Sequence, residues 1–360
     1  LALSRGCAPA ALGGVLGARG LALKALVTGA TGFIGQHVAR ALLADAFEVR
    51  ALVRPPVSAR SSDVVALKGA EIVAGDMRDA ASLARAVRGC QVVFHVAALY
   101  DLWTPDLDTL YTTNVTGTSH LLAAARAAHV ERVVYTSSVA TITPGRLEPG
   151  SERTCRGGDE AGFADLRAVH SHYKRSKILA ERVALREAAA GCPVVIVNPA
   201  TPIGTGDLKP TPTGRIVLDF LRGRMPAYVD TGLNVIDVED VAAGHLLALK
   251  RGLPGERYIL GAHNLSLREL LNCLAEEAGL PAPRVRLPLG IALAAGAVSE
   301  VLEGRLARRR PSIPFEGVRM AGRPMYYDAA KAHIQLGLPR TPARQALRKS
   351  AGWFREHGYC

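Results

Sequence analysis

Apolar positions fall along this chain in short continuous runs, separated by longer stretches in which they recur every three or four residues. KALVT (24–28), EVRALV (48–53), EIVA (71–74), QVVFHVA (91–97), RVVYTS (132–137) and PVVIVN (193–198) are runs of the first kind. Short and rich in β-branched residues, they read as strands buried on both faces. Between them, 33–44, 79–88, 110–128 and 169–189 carry the spacing of amphipathic helices. Strand and helix alternating in this way predict an α/β fold, a doubly wound parallel sheet of the Rossmann kind with its first strand central.

After Asn198 the pattern loosens. Residues 199–215 hold four prolines and three glycines and read as a loop over a ligand. Further on, 239–250 and 266–278 predict helices, and 257–260 a strand that returns to the sheet. The expected organisation is an extension over 1–23 outside the fold, a dinucleotide-binding domain over 24–198, and a smaller mixed α/β substrate-binding domain over most of 199–360. The most apolar stretch, PLGIALAAGAVSEVL (288–302), is too short and too glycine-interrupted to span a bilayer. It is expected as a buried or oligomer-facing helix. Membrane-surface attachment, helped by Arg305 and Arg308 to Arg310, is the alternative.

The stretch that organises the first half is KALVTGATGFIG, in which a strand runs into glycines at 29, 32 and 35 and then into a helix. Gly29 can turn where a side chain would clash, Gly32 lets backbone approach a pyrophosphate, and Gly35 lets the helix pack on the strand. The first amides of that helix then face the phosphate charge. At 360 residues, 49% apolar and 21% charged, the chain has ample core for a folded globular protein. Its net charge of +12 comes from scattered basic residues with only 5% aromatics, so a solvated basic surface is expected and a nucleic-acid partner is not. Six cysteines show no metal-ligand spacing; no metal site is assigned, and reduced thiols in a cytoplasmic compartment are expected.

Two further elements carry chemistry. Tyr173 and Lys177 stand four apart in HYKRSK (172–177), on one face of a predicted helix. A nearby ammonium favours the phenolate, so the pair can exchange a proton with a substrate hydroxyl or carbonyl while hydride moves to or from a nicotinamide. The second element, YTSSVAT (135–141), sits at the carboxyl end of the fifth strand, the rim where doubly wound sheets bind ligands. Ser138 can donate to the reacting oxygen there, with Ser137 and Thr136 as competitors for the role.

With TGATGFIG, GDMRDAASL (75–83), HVAA (95–98), TNVTGT (113–118), TSS (136–138) and Tyr173/Lys177 in order, the chain resembles an extended short-chain dehydrogenase/reductase of the NAD-dependent epimerase/dehydratase family. Within it, HYKRSKILAE (172–181), VVIVNPATPIG (194–204) and the run over 209–249 resemble hopanoid-associated sugar epimerases and dihydroflavonol-4-reductase-like proteins. The resemblance implies a catalytic triad of Ser138, Tyr173 and Lys177. It places the cofactor against Gly29, Thr31, Gly32, Phe33, Ile34 and Gly35, with Asp76 and Met77 at the adenine. Ala97, Ala98, Thr136, Tyr173 and Lys177 would line its cleft, Asn114 would prop the catalytic helix, and Pro199 would pack on the nicotinamide. Thr201, Lys209, Thr213, Arg215 and Tyr228, with Ser138, are the substrate candidates. Asp237 is expected to start a helix and His95 to be a packed core histidine.

One departure bears on the cofactor. Where NAD-preferring relatives carry an acid at the end of the second strand, this chain has Val53 followed by Arg54. An arginine there can pair with a 2′-phosphate, so NADP(H) is expected over NAD(H). The implied activity is hydride transfer between nicotinamide and a carbinol or ketone of a sugar or polyol in hopanoid lipid synthesis. The alternatives are a dihydroflavonol-4-reductase-like ketone reductase and a non-catalytic, NmrA-like NADP sensor. A homodimer through helices 110–128 and 169–189 is also implied.

Overall fold

A computed structural model describes residues 22–56, 67–101, 103–104, 106–147, 155–156, 158–307 and 309–360. Almost all of the extension expected over 1–23 lies outside the described residues. Seven parallel strands form the central sheet: β1 (Lys24–Thr28), β2 (Glu48–Val53), β3 (Glu71–Ala74), β4 (Val92–His95), β5 (Arg132–Thr136), Val194–Pro199 and Arg257–Leu260. Their spatial order places β1 between β2 and β4, β3 at one edge and Arg257–Leu260 at the other, paired with Val194–Pro199. The doubly wound arrangement and the returning strand are as the sequence predicts. Every residue of β4, β5 and Val194–Pro199 is buried, which is what a sheet covered on both faces requires.

Helices α1 (Phe33–Ala44) and Val238–Arg251 cover one face; Ala80–Val87, Gly117–Ala127 and His172–Ala189 cover the other. Several begin on a side chain that accepts the first free amides, as Asp79, Ser171 and Asp237 do. Asp237 is thus a helix start, as expected, and Lys349 pairs with its carboxylate. The predicted helix 110–128 is broken into Leu107–Tyr111, a wider π turn over Thr112–Thr116, and Gly117–Ala127. The turn re-aims Asn114, a common use of such turns at functional sites.

The second half has its own core, where Val217, Phe220, Leu270, Leu274 and Phe354 pack together. The predicted loop 199–215 is more ordered than its composition suggests. Thr201–Ile203 pairs in parallel with Gly232–Asp237, which pairs antiparallel with His263–Ser266, and a helix begins at Pro212. The fixed φ of Pro212 suits a first helical position.

The helix Leu289–Ser299, continued by a π turn through Leu306, corrects the expectation of burial. Only Ala292 and Gly296 of its first eleven residues are buried, and its large aliphatic side chains face outward.

Candidate functional site

The site is built around the turn between β1 and α1. Gly29 takes a left-handed φ of +69°, and a Cβ there would lie 2.7 Å from the backbone of Ala97. A Cβ on Gly35 would lie 2.0 Å from the Gly29 carbonyl. The Gly32 amide donates to that same carbonyl at 2.9 Å. Turn, β4 loop and helix therefore meet backbone to backbone. Unlike the helices started by Asp79 or Ser171, α1 has no side chain on its first amides. Such a bare-backbone helix N-terminus fits a dinucleotide diphosphate. Thr31, Phe33 and Ile34 lie in the same turn, partly exposed. On the next turn of α1, Gln36 Nε2 donates to the Gly206 carbonyl at 2.6 Å and His37 Nε2 meets the Thr205 carbonyl at 2.9 Å. The segment after Pro199 is thus held beside the cradle.

This packing makes a testable prediction. Gly35→Ala has no room without moving α1 off the turn, and it should weaken binding of NADPH by at least about tenfold, since the amides lose their aim. Titration of reduced-nicotinamide fluorescence checks it; unchanged affinity contradicts the assignment.

At the other end of the cradle, Arg54 is exposed just beyond β2. Asp76, beyond β3, accepts from Arg78 Nε and Nη2 at 3.0 and 2.9 Å. That bond, with the Arg54 charge adding to it, holds the Asp76 carboxyl below its usual range. Met77 is buried, packed against Gly117. Ala97 faces Gly29, and Ala98 is exposed on the loop beyond β4. Pro199 closes its strand opposite Leu260.

The chemistry-bearing residues gather at the carboxyl edge of β5. Tyr173, in the first turn of His172–Ala189, has its phenol within hydrogen-bond reach of the Ser138 hydroxyl. Ser138 also starts a short 3₁₀ turn, accepting from the Ala140 amide at 3.1 Å. Of its competitors, Ser137 is buried with no hydrogen bond to its hydroxyl, and the Thr136 hydroxyl is engaged by His245 at 2.8 Å. Ser138 alone of the three meets Tyr173.

Lys177 departs from the expectation. Its Nζ donates to the Thr136 carbonyl at 2.9 Å and lies 5.2 Å over the Tyr135 ring, rather than turning to the phenol. Burial brings Lys177 down to about 8, Glu181 opposing it, and pushes the Tyr173 phenol up to about 12, with Ser138 pulling the other way. Tyr173 is therefore a neutral phenol at neutral pH, not the lowered one that the spacing suggested.

Behind it, Asn114 donates to the Ser176 hydroxyl at 3.0 Å and to the Leu99 carbonyl at 3.1 Å, and accepts from the Leu99 amide at 2.8 Å. One side chain so ties the helix that bears Tyr173 to the β4 loop. His95 is fully buried between Thr28 and Thr118, and burial lowers it to about 3, so it stays a neutral packing residue.

Sequence reasoning missed two residues here. Tyr100 stacks on Tyr173 with ring centroids 4.6 Å apart. Asp207 is buried against the Thr211 amide and hydroxyl, and burial raises it to about 6. Tyr100 follows HVAA at the carboxyl end of a central strand, a position that could have flagged it. Beside Tyr173 lies a cavity of about 230 Å³, lined by Trp103, Leu107, Leu110 and Phe315 among others. Of the substrate candidates, Arg215 is exposed within electrostatic range of Asp101 on that cavity's wall and of Asp207. Thr213 lies in the first turn of the same helix, two residues before Arg215; Lys209 is exposed just before that helix, and Thr201 is engaged in strand pairing. Tyr228 is packed in the core of the second half and does not line the cavity.

Comparison with known proteins agrees with this architecture. The model of the NAD dependent epimerase/dehydratase family matches residues 25–261. A Synechocystis protein named "Putative dihydroflavonol 4-reductase" is 48% identical over 92% of this chain and 95% of its own. "Sterol demethylase protein B" of Methylococcus capsulatus is 35% identical over 92% and 98%. Among solved structures, a nucleoside-diphosphate-sugar epimerase from Pseudomonas aeruginosa superposes with a TM-score of 0.74 at 31% identity, covering 94% of this chain and 99% of that one. The chain belongs to the NAD-dependent epimerase/dehydratase family of extended short-chain dehydrogenases/reductases.

Proposed function

We propose that this enzyme is an NADP(H)-dependent reductase of a ketone carried on a largely apolar molecule. The observation that carries the reading is the juxtaposition of the Ser138 hydroxyl and the Tyr173 phenol at the β5 edge, with the phenol kept protonated by burial. A neutral phenol suits proton delivery: as the carbonyl oxygen becomes an alkoxide, a much stronger base, Tyr173 gives up its proton and the Ser138 hydroxyl can donate to the developing phenolate. Lys177, charged below about pH 8, holds the β5 edge beside them through the Thr136 carbonyl. Nicotinamide, when bound, supplies the hydride to the carbonyl carbon. Gly29, Gly32 and Gly35 hold the diphosphate, and Arg54 the 2′-phosphate.

Substrate class is supported by the wall beside Tyr173, which sets the apolar Trp103, Leu107, Leu110 and Phe315 among Asp101, His170, Glu300 and Glu316 and suits a molecule with both an apolar body and polar groups. It is also supported by the reductase and sterol names of the two relatives. The test is loss of reduced-nicotinamide fluorescence when cyclic and aromatic ketones are added to the enzyme with NADPH.

A second reading, epimerisation of a sugar linked to hopanoid lipid, is supported by the family-like stretches over 172–181 and 194–204 and by the epimerase neighbour. An epimerase re-reduces on a retained cofactor, whereas a reductase exchanges it each turnover. Protein that keeps one dinucleotide through purification and gel filtration would favour the epimerase.

For the cofactor, Arg54→Ala should lower the preference for NADPH over NADH by about tenfold or more, because one charge-assisted pair with the 2′-phosphate is lost. An unchanged preference in paired titrations would refute the role of Arg54.

A further inference from the structure

We propose that the helix 289–306 seats this enzyme on an anionic membrane surface. The helix is apolar nearly all round in its first eleven residues, and it turns most of its large aliphatic side chains outward. Ile291, Ala294, Ala295, Val298, Val301, Leu302 and Leu306 recur at helical spacing and are all exposed, with Val298 and Leu302 more than half so. The inner side carries the buried Ala292 and Gly296 and the half-buried Ser299 and Glu303. Glu303 turns inward to accept from the hydroxyls of Ser299 at 2.8 Å and Ser312 at 3.0 Å. Gly296, on the same inner side, packs against Phe315. A surface helix ordinarily puts its apolar stripe on the core, so an outward stripe of this size implies a covering apolar phase.

The surrounding charge selects the occupant. Between residues 284 and 323 the chain carries eight arginines and no lysine, against three glutamates. Two of those glutamates are already engaged, Glu303 as above and Glu316 by Arg319. Four of the arginines are ion-paired, Arg286 with Asp230, Arg309 with Glu303, Arg310 with Asp101 and Arg319 with Glu316. The segment still keeps an excess of arginine over glutamate around an apolar centre, the composition that binds anionic lipid headgroups while aliphatic side chains enter the acyl boundary. A second copy meeting this face about a twofold axis would bring two arginine-rich surfaces together, which disfavours that alternative. No helix among the described residues is long and apolar enough to cross a bilayer, so the attachment is peripheral. The same element lends Glu300 to the cavity beside Tyr173, which puts the cavity mouth close to the seated face.

The proposal goes beyond the redox reading and does not depend on it. Its test is sedimentation of the full chain with vesicles of phosphatidylglycerol and phosphatidylcholine, and with phosphatidylcholine alone. NADPH affinity, thermal unfolding and mass by light scattering are measured on the same samples. The wild type should bind the anionic vesicles and not the neutral ones, and binding should fall as salt is added. Val298→Glu/Leu302→Glu changes only exposed positions and should reduce binding by about tenfold or more, with NADPH affinity and unfolding temperature unchanged. Lys substitutions at the same two positions should also weaken binding, because the aliphatic groups are lost even though charge is gained. Absence of wild-type binding, binding untouched by both pairs of substitutions, or conversion of an oligomer to a smaller species by Val298→Glu/Leu302→Glu with no change at the vesicle would each overturn it. Loss of NADPH affinity in the wild type itself would count against the redox reading alone.

Discussion

Replacing Tyr173 with Phe is expected to lower turnover by about 10³-fold while leaving NADPH affinity within about twofold of the wild type. The substitution removes one oxygen from a site where the ring stays packed on Tyr100 and the helix stays capped by Ser171. The proton that the reaction needs at the alkoxide then has no source within reach, because the nearest hydroxyl, Ser138, is far more weakly acidic. Ser138→Ala should cost less, about 10- to 100-fold, since it removes a hydrogen bond that strengthens as the phenolate forms. Steady-state rates beside fluorescence titration separate the two effects. Turnover of Tyr173→Phe at the wild-type rate would end the assignment of the phenol as the proton donor.

The second large effect concerns stability. Glu181 and Arg257 form an ion pair at 2.9 Å with side chains 1% and 5% exposed, joining the helix that bears Tyr173 to the returning strand. The other Glu181 oxygen accepts from Asn198 at 2.7 Å and from Thr141 at 2.9 Å. Arg257→Met leaves that carboxylate buried without its cation, and unfolding free energy should fall by about 3–5 kcal/mol. Adding Glu181→Leu removes the stranded charge and should restore a large part of the loss, although Asn198 and Thr141 then lack an acceptor. Urea unfolding of the single and double variants measures this directly. A single variant as stable as the wild type would show the pair to be dispensable.

The helix that bears Tyr173 was legible because its signals are local: a serine cap at 171, then eighteen residues without a breaker. The same holds for the glycine turn, where a left-handed residue and two close backbone approaches leave a spacing that can be read directly. What was not legible depends on where side chains turn and on which loops the topology gathers. A four-residue spacing puts Tyr173 and Lys177 on one helix face, yet the lysine reaches the Thr136 carbonyl because β5 offers an acceptor that the spacing cannot reveal. Tyr100 and Tyr173 come from different segments at the carboxyl edge of the sheet, and their meeting is a consequence of the strand order, not of any motif. The stretch over 288–302 is apolar all round, so nothing in its pattern said which side would face water. The loop after Pro199 hid a strand because Thr201–Ile203 is too short to show alternation.

The central claim is that a dinucleotide lies across the carboxyl edge of this sheet with its nicotinamide against Ser138 and Tyr173. The most direct measurement is a crystal structure of the enzyme grown with NADP(H). The account predicts the diphosphate on the amides that follow Gly32, the 2′-phosphate against Arg54, and the nicotinamide ring beside the Tyr173 and Ser138 hydroxyls. A dinucleotide bound elsewhere, or one whose nicotinamide turns away from Tyr173, would contradict it.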